Sequence, residues 1–375
     1  MRNEPRKILL AANTSWYLFN FRKNTIKRLV SEGYEVVCLA GDSEYGFELE
    51  KLGSKIETVK LNNVSVNPFY ELVSFASILK RIFLLRPSVV LSFTPKVVMY
   101  SSVCSFLNRI PYVINVSGQG TANSFSGISR KIYIVLFGFV CRFASKIFCQ
   151  NSDDFDKVQT LFSVDIEKLE LLAGSGIPLD EFKYSQPKNR GIIKIGLFCR
   201  LIEEKGVRIF LDVIESMQNV ECISFKLAGK IDSDRTNAVT ELEIMRVERL
   251  KNFKFLGFLE DCREEIRDCD CVVLPSFYSE GTPRVLLEAL ALGRPVITTR
   301  TPGCRDTVKN NGYLIAPKSA EDLSSAIDKF LDLSIAERLI MGLNSRKLAE
   351  LRFDETKIIN SYLVVITDIL NRKVR

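Results

Sequence analysis

The chain has 375 residues, enough for two domains of ordinary size, and its 46% hydrophobic and 26% charged content is that of a folded protein with a somewhat apolar surface. It contains no histidine, which excludes a Ser-His-Asp triad, a histidine general base and a histidine-ligated metal. The net charge of +7 is uneven: from Leu72 to Ser152 there is no Asp or Glu, so an anionic partner is expected there, either nucleic acid or an anionic membrane surface.

The first half alternates buried strands with helices. Lys7 to Asn13 reads as a strand, 22–32 as the helix after it, and 35–40 as a second strand. A short helix near 45–52 and strands at 55–61, 89–93, 112–116 and 147–150 continue the series. This alternation predicts an α/β, doubly wound sheet over residues 1–187. The first strand runs into Asn13-Thr-Ser-Trp16, not a G-x-G-x-x-G loop, which argues against a dinucleotide-dependent dehydrogenase. Gly118, Gln119 and Gly120 follow a strand, at the edge where such sheets bind ligands, and are expected to face an acceptor.

An apolar run, Ile132 to Cys141, is flanked by Arg130, Lys131, Arg142 and Lys146. Ten residues are too few to span a bilayer, which takes about twenty. A buried core helix is the plain reading; set in the acid-free stretch, an interfacial helix making peripheral membrane contact is favoured. The ten cysteines are scattered and, with no signal-peptide pattern, read as reduced thiols in a cytoplasmic protein.

A polar, proline-broken stretch at 184–191 predicts a linker. Beyond it the alternation restarts, with strands at 192–199, 223–228, 253–257, 271–276 and 295–299 and helices at 207–216 and 237–250, so residues 191–353 form a second doubly wound domain. A ligand crevice is expected between the two domains.

The stretch from Glu280 to Glu288 carries the strongest chemical signal. Thr282 suits a cap, Pro283 a first helical position, and the helix should stop at Gly293. Only Glu288 is polar between Val285 and Leu292, so the helix belongs inside the protein. Arg284 and Glu288 form an ordinary i,i+4 pair on one reading. On the other, the amides of Gly281, Thr282, Arg284 and Val285, with Pro283 among them, hold an anion at the helix start, and Glu280 and Glu288 accept hydroxyls on either side of it. A sugar nucleotide has that layout, a diphosphate between two hydroxyl-rich ends. Arg200 and Lys205, on the loop after strand 192–199, supply cations suited to a diphosphate, unless Glu203 and Glu204 neutralise them. Asp268-Cys-Asp270 spells a D-x-D metal motif but precedes its strand, and reads as a helix end.

Arg200 and Lys205, Leu227-Ala-Gly229, Phe255-Leu-Gly257, Leu274-Pro-Ser276, Glu280-x7-Glu288 and Gly293-x-Pro-Val296 resemble, in order and spacing, the retaining GT-B glycosyltransferases of family four. The runs from Gly281 to Asp306, with Asn67-Pro68, Thr94-Pro-Lys96, Gln150-Asn151 and Phe353-Asp354, look like the subgroup that builds O-antigens, capsules and related glycans on undecaprenyl diphosphate. The resemblance implies the GT-B fold, two Rossmann-like domains facing each other across a crevice, with the last helix, 354–375, crossing back to the first. It implies a nucleotide-sugar donor, UDP-linked by the company of the subgroup, and a polyprenyl-diphosphate-linked acceptor at the cytoplasmic face of the inner membrane. Arg200, Lys205 and the amides after Gly281 would hold the diphosphate, Glu280 the donor sugar, Glu288 the ribose, and Lys230 and Phe258 the base. The sequence departs from relatives in the Trp16 loop and the missing first-domain histidine; Asn13, Trp16, Lys96 and Gly118 to Gly120 are taken as acceptor-side residues.

No metal or other cofactor is expected, because two fixed cations and a helix terminus can balance the diphosphate. A first-domain base would have to be Asp42 or Glu44; a front-face route, in which the departing phosphate oxygen takes the acceptor proton, needs neither. Two alternatives remain: a sugar-nucleotide epimerase, disfavoured by the absence of histidine, and a catalytically silent membrane-bound scaffold, disfavoured by the intact charged residues. Nucleic acid is not expected as a partner, since no recognition motif accompanies the basic stretch.

Overall fold

The computed structural model describes residues 6–62, 67–118, 127–187, 191–232, 237–278 and 280–372. The chain divides into two compact units, Met1–Leu172 with Thr356–Arg375, and Ala173–Glu355. The expected break at 187–191 lies later than this division, and 188–190 fall outside the described residues. Residues 173–187 go with the second unit because Ile177 and Phe182 are buried in its core. Their backbone is also tied there: Phe182 O and Ser185 O accept hydrogen bonds from Arg346 and Arg294.

The first unit is built on a seven-stranded parallel sheet in the order β3-β2-β1-β4-β5-β6-β7. Its strands are β1 (Lys7–Ala11), β2 (Glu35–Ala40), β3 (Lys55–Thr58), β4 (Val89–Ser92), β5 (Tyr112–Val116), β6 (Lys146–Cys149) and β7 (Leu169–Leu171). The central strands β1, β4 and β5 are mostly apolar and, but for half-buried Lys7, buried on both faces, as a helix-covered parallel sheet demands. The helices that matter below are α1 (Ser15–Ser31), α3 (Pro68–Leu85), α4 (Pro95–Leu107), α5 (Gly127–Phe143), α6 (Ser152–Phe162) and the last, α13 (Glu355–Arg372). The helix after β1 starts seven residues earlier than the sequence predicts. Thr14 caps it by accepting from Tyr17 N, so Trp16 stands in a helical first turn, not in a loop. In α13 the helical stripe places Ile358, Tyr362 and Ile369 inside, with Ile366 buried and Val365 half-buried. The Tyr362 hydroxyl donates to Asn115 Oδ1 at 2.5 Å, and its ring packs edge-on against Phe93 and Phe148.

The second unit has a six-stranded parallel sheet in the order β10-β9-β8-β11-β12-β13. Its strands are β8 (Ile193–Phe198), β9 (Ile223–Ala228), β10 (Phe253–Phe255), β11 (Cys271–Leu274), β12 (Val296–Thr299) and β13 (Gly312–Ile315), the last not foreseen from sequence. The order reverses between β8 and β11, and open parallel sheets bind ligands beyond the carboxyl ends of the strands at such a point. The helices that frame it are α7 (Val207–Ser216), α8 (Glu241–Glu248), α9 (Arg263–Arg267) and α10 (Arg284–Ala291).

Candidate active site

The two strands at the switch point each release a charged loop. After β8 come Arg200 and a short 3-10 turn, Glu203–Lys205; after β11 comes the loop leading through Glu280 to α10. Gly206 closes the first loop at φ 75°, and a Cβ there would lie 2.3 Å from Pro275 O. Only glycine permits both the left-handed backbone and this approach. It brings Lys205 against the second loop, where Lys205 Nζ donates to Glu280 Oε2 at 2.5 Å in an ion pair whose side chains are 12% and 16% exposed.

Glu280 is held from behind as well. The buried Ser276 hydroxyl lies 2.8 Å from Glu280 Oε1 and 3.1 Å from Glu204 O, and Ser276 O accepts from Thr299 Oγ1 at 2.5 Å. Gly303, at φ 78°, packs so closely that a Cβ would overlap Gly281 O. The sequence reading assigned no role to Ser276, Gly206 or Gly303. The signal available was a serine just past one strand end and glycines in the loops after two others, too weak to interpret without the fold.

The acids beside Lys205 do not neutralise the cations. Glu203 Oε2 accepts from Arg208 Nη1 at 3.0 Å, and Arg208 also binds Glu243 at 2.6 Å. This bond is the main reason the Glu243 carboxyl drops to about 2. Arg200 is exposed and makes no ion pair with a described residue. It is therefore available to an anion.

At α10 the expected capping is corrected: Pro283 is the N-cap, with φ −60° and ψ 124°, and Thr282 lies outside the helix as a buried loop residue. Proline has no N–H, so the amides open to a ligand at this helix start are those of its neighbours. Arg284 Nε donates to Glu288 Oε1 at 3.1 Å, so the i,i+4 pair exists, with the side chains 16% and 19% exposed. Burial nevertheless holds the Glu288 carboxyl above its ordinary range, against the pull of Arg284. Val285 is half-buried, and the helix ends at Gly293 as predicted, at φ 78°.

Lys230 follows β9 and Phe258 follows β10, on the loops next in line along the same sheet edge; both are exposed. Asp268 ends α9 and receives Lys194 and Lys226, while Asp270 Oδ2 accepts from Lys194 N at 2.8 Å. Both aspartates sit before β11, at the opposite edge from the site. Among the described residues no group of three or more His, Cys, Asp or Glu is placed to hold a metal ion. Cys199 and Cys304 near the site are kept neutral by burial, pushed up to about 12 and about 11.

The residues expected on the acceptor side also lie past strand ends of the first unit, where Trp16 is exposed and several of the others are bonded within the chain. Asn13 O accepts from Gly41 N at 3.1 Å. Asp42, a possible base from sequence, accepts from Ser15 N and its hydroxyl. Lys96 Nζ donates to Glu71 at 2.7 Å and to Asn62 O at 2.8 Å. Gly118 N donates to the buried Asp154 at 3.0 Å. Gln119 and Gly120 lie outside the described residues.

Two Rossmann-like units, each on a parallel sheet, one with a cation–carboxylate pair beside a helix start at its switch point, are the parts of a GT-B glycosyltransferase. Residues 192–332 match the family described as Glycosyl transferases group 1 and residues 7–151 the family described as Glycosyl transferase 4-like, and the chain belongs to these GT-B glycosyltransferases. It is 26% identical over 366 residues to N,N'-diacetylbacillosaminyl-diphospho-undecaprenol alpha-1,3-N-acetylgalactosaminyltransferase of Campylobacter jejuni, covering 92% of this chain and 94% of that one. It is 23% identical over 350 residues to the capsular polysaccharide biosynthesis glycosyltransferase CapM of Staphylococcus aureus, covering 88% and 89%. Among solved structures, Anabaena Alr3699/HepE in complex with UDP and glucose superposes with a TM-score of 0.77 at 21% identity, over 97% of this chain and all of that one.

Proposed function

We propose that the protein transfers a hexose or N-acetylhexosamine, with retention, from a UDP-linked donor to a polyprenyl-diphosphate-linked saccharide in bacterial surface polysaccharide biosynthesis. The observation that carries the donor half is the Lys205–Glu280 pair, pinned at the switch point beside the start of α10, with Arg200 on the same loop paired to no described residue. The acceptor half rests on full-length similarity to a transferase whose name specifies a diphospho-undecaprenol substrate. UDP is favoured because a structural neighbour was solved with it.

In this reading Arg200, Lys205 and the amides from Gly281 to Val285 bind the diphosphate. They stabilise the charge that grows on its terminal oxygen as the bond to the sugar's anomeric carbon breaks. Two fixed cations and a helix start supply the charge a divalent ion would bring, so the reaction runs without metal. Glu280 accepts hydroxyls of the donor sugar, Glu288 the ribose hydroxyls, and Lys230 and Phe258 border the base. The electron pair of the broken bond stays on the diphosphate, which takes the acceptor's proton as the acceptor oxygen bonds the same face of the sugar. Such a front-face step uses no protein base. Asn13, Trp16, Lys96 and Gly118 are assigned to the acceptor, and the protein works at the cytoplasmic face of the membrane.

The test is nucleotide release from UDP-, GDP- and dTDP-sugars in EDTA, with and without a synthetic polyprenyl-diphosphate sugar, followed by the anomeric configuration of the product. UDP release that requires acceptor, survives EDTA and gives retained product is expected. An inverted product overturns the mechanism, acceptor-independent turnover favours an epimerase, and silence across the panel favours a scaffold.

A further inference from the structure

In α5 one face is core: Phe137, Val140 and Cys141 are buried. The other face is apolar too, yet uncovered. Ile132, Val135, Leu136, Phe139 and Phe143 follow at helical spacing and are all exposed, Val135 by 71%. Phe106, at the end of α4, continues the stripe, its ring 4.9 Å from that of Phe139 and 4.8 Å from that of Phe143. The helix is 17 residues long, about 25 Å, and no helix among the described residues is long and apolar enough to cross a membrane. A contiguous apolar stripe of this kind marks a surface that something covers.

The charges around it say what. Of the basic residues between Leu72 and Ser152, Arg81, Lys96 and Lys146 are paired with Glu57, Glu71 and Glu170. Arg109, Arg130, Lys131 and Arg142 are exposed, flank the stripe at both ends, and pair with no acid among the described residues. A second copy of the chain fits poorly: a two-fold pairing along α5 sets a basic end against a basic end whichever way the helices run. A sheet of anionic headgroups over an apolar interior satisfies both parts at once.

We propose that the outer face of α5, with Phe106, lies in the headgroup region of an anionic bilayer, the phenylalanines and aliphatics inserted and Arg109, Arg130, Lys131 and Arg142 on the phosphates. The inference rests on the reading that the acceptor is lipid-linked, and gives that reading a defined contact surface.

Flotation of the full-length protein with vesicles tests it. Vesicles containing phosphatidylglycerol should bind at least about tenfold better than pure phosphatidylcholine, with binding weakening as salt rises. Two double variants, Val135→Ser/Phe139→Ser and Arg130→Glu/Arg142→Glu, should each lower vesicle binding roughly tenfold or more. Both should keep the wild-type melting temperature and full transfer to a water-soluble, short-chain diphosphate acceptor. Equal binding to neutral vesicles, variants that bind as the wild type does, or a dimer that Val135→Ser/Phe139→Ser splits would each overturn the proposal. Vesicle binding with no transfer to any acceptor supports the docking face and removes the proposed reaction instead.

Discussion

The carboxyl edges of the two sheets make an instructive contrast. At the edge of the second unit, charged side chains are left facing one another: Lys205 on Glu280, Arg284 on Glu288, and Arg200 on nothing described. At the edge of the first, the candidate residues are spent on the chain itself: Lys96 on Glu71 and Asn62, Asp42 on Ser15, Gly118 on Asp154. Recognition of a diphosphate demands fixed cations and amides, and the second unit carries two cations, Arg200 and Lys205, on the loop after one strand, with Arg200 paired to no described residue. The edge proposed for the donor thus carries the fixed cations, while at the edge proposed for the acceptor Lys96 is held by Glu71.

The largest effect should separate the edges. Glu280→Gln and Lys205→Ala are expected to lower kcat/KM by about 10²–10³-fold, the usual cost of losing one electrostatic contact to a transition state. Lys96→Ala, which removes no contact to the diphosphate, should cost less than tenfold; equal losses in steady-state assays would erase the contrast. Arg200→Ala should weaken UDP binding by roughly 10–100-fold, the value of a charge-assisted hydrogen bond, without moving Tm, since Arg200 supports nothing in the fold. Calorimetric titration with UDP, alongside thermal melts, checks both halves.

Ser276→Ala should be milder, about tenfold in kcat with KM little changed, because it frees the Glu280 carboxylate to leave its working position without removing it. The smallest effect is a pH dependence. Burial raises the Glu288 carboxyl above its ordinary 4.5, so it is protonated at a pH where an exposed glutamate is still charged. Donor affinity should therefore fall as pH drops through the weakly acid range above 4.5, and Glu288→Gln should flatten that profile. The stability sign is opposite: a raised carboxyl costs stability as pH climbs from 4.5 through the folded value, so Glu288→Gln should gain stability at neutral pH. A melting series against pH reads this directly.

Strand–helix alternation was legible because buried parallel strands are apolar on both faces, and every strand from β1 to β6 and β8 to β12 was foreseen to within a few residues. β7 and β13 escaped: they are edge strands of three and four residues, partly exposed, too short to stand out from the loops around them. The start of α1 escaped as well, since Ser15 to Phe21 has no helical apolar period; the Thr14 cap and the fit of Leu18 into the core decide it.

By itself the sequence determined the two-unit α/β architecture, the absence of histidine chemistry, the acid-free basic stretch and the charged residues released after β8 and β11, all of which are set by residue type and local spacing. Tertiary structure alone decided which charges meet. Lys205 and Glu280 are 75 residues apart in the chain, and they pair because Gly206 lets one loop close on Pro275 and Ser276 anchors the other. It also decided that one apolar face of α5 is core and the other is not, since that depends on what packs against the helix, and a period of 3.6 residues marks faces without saying which neighbour covers them.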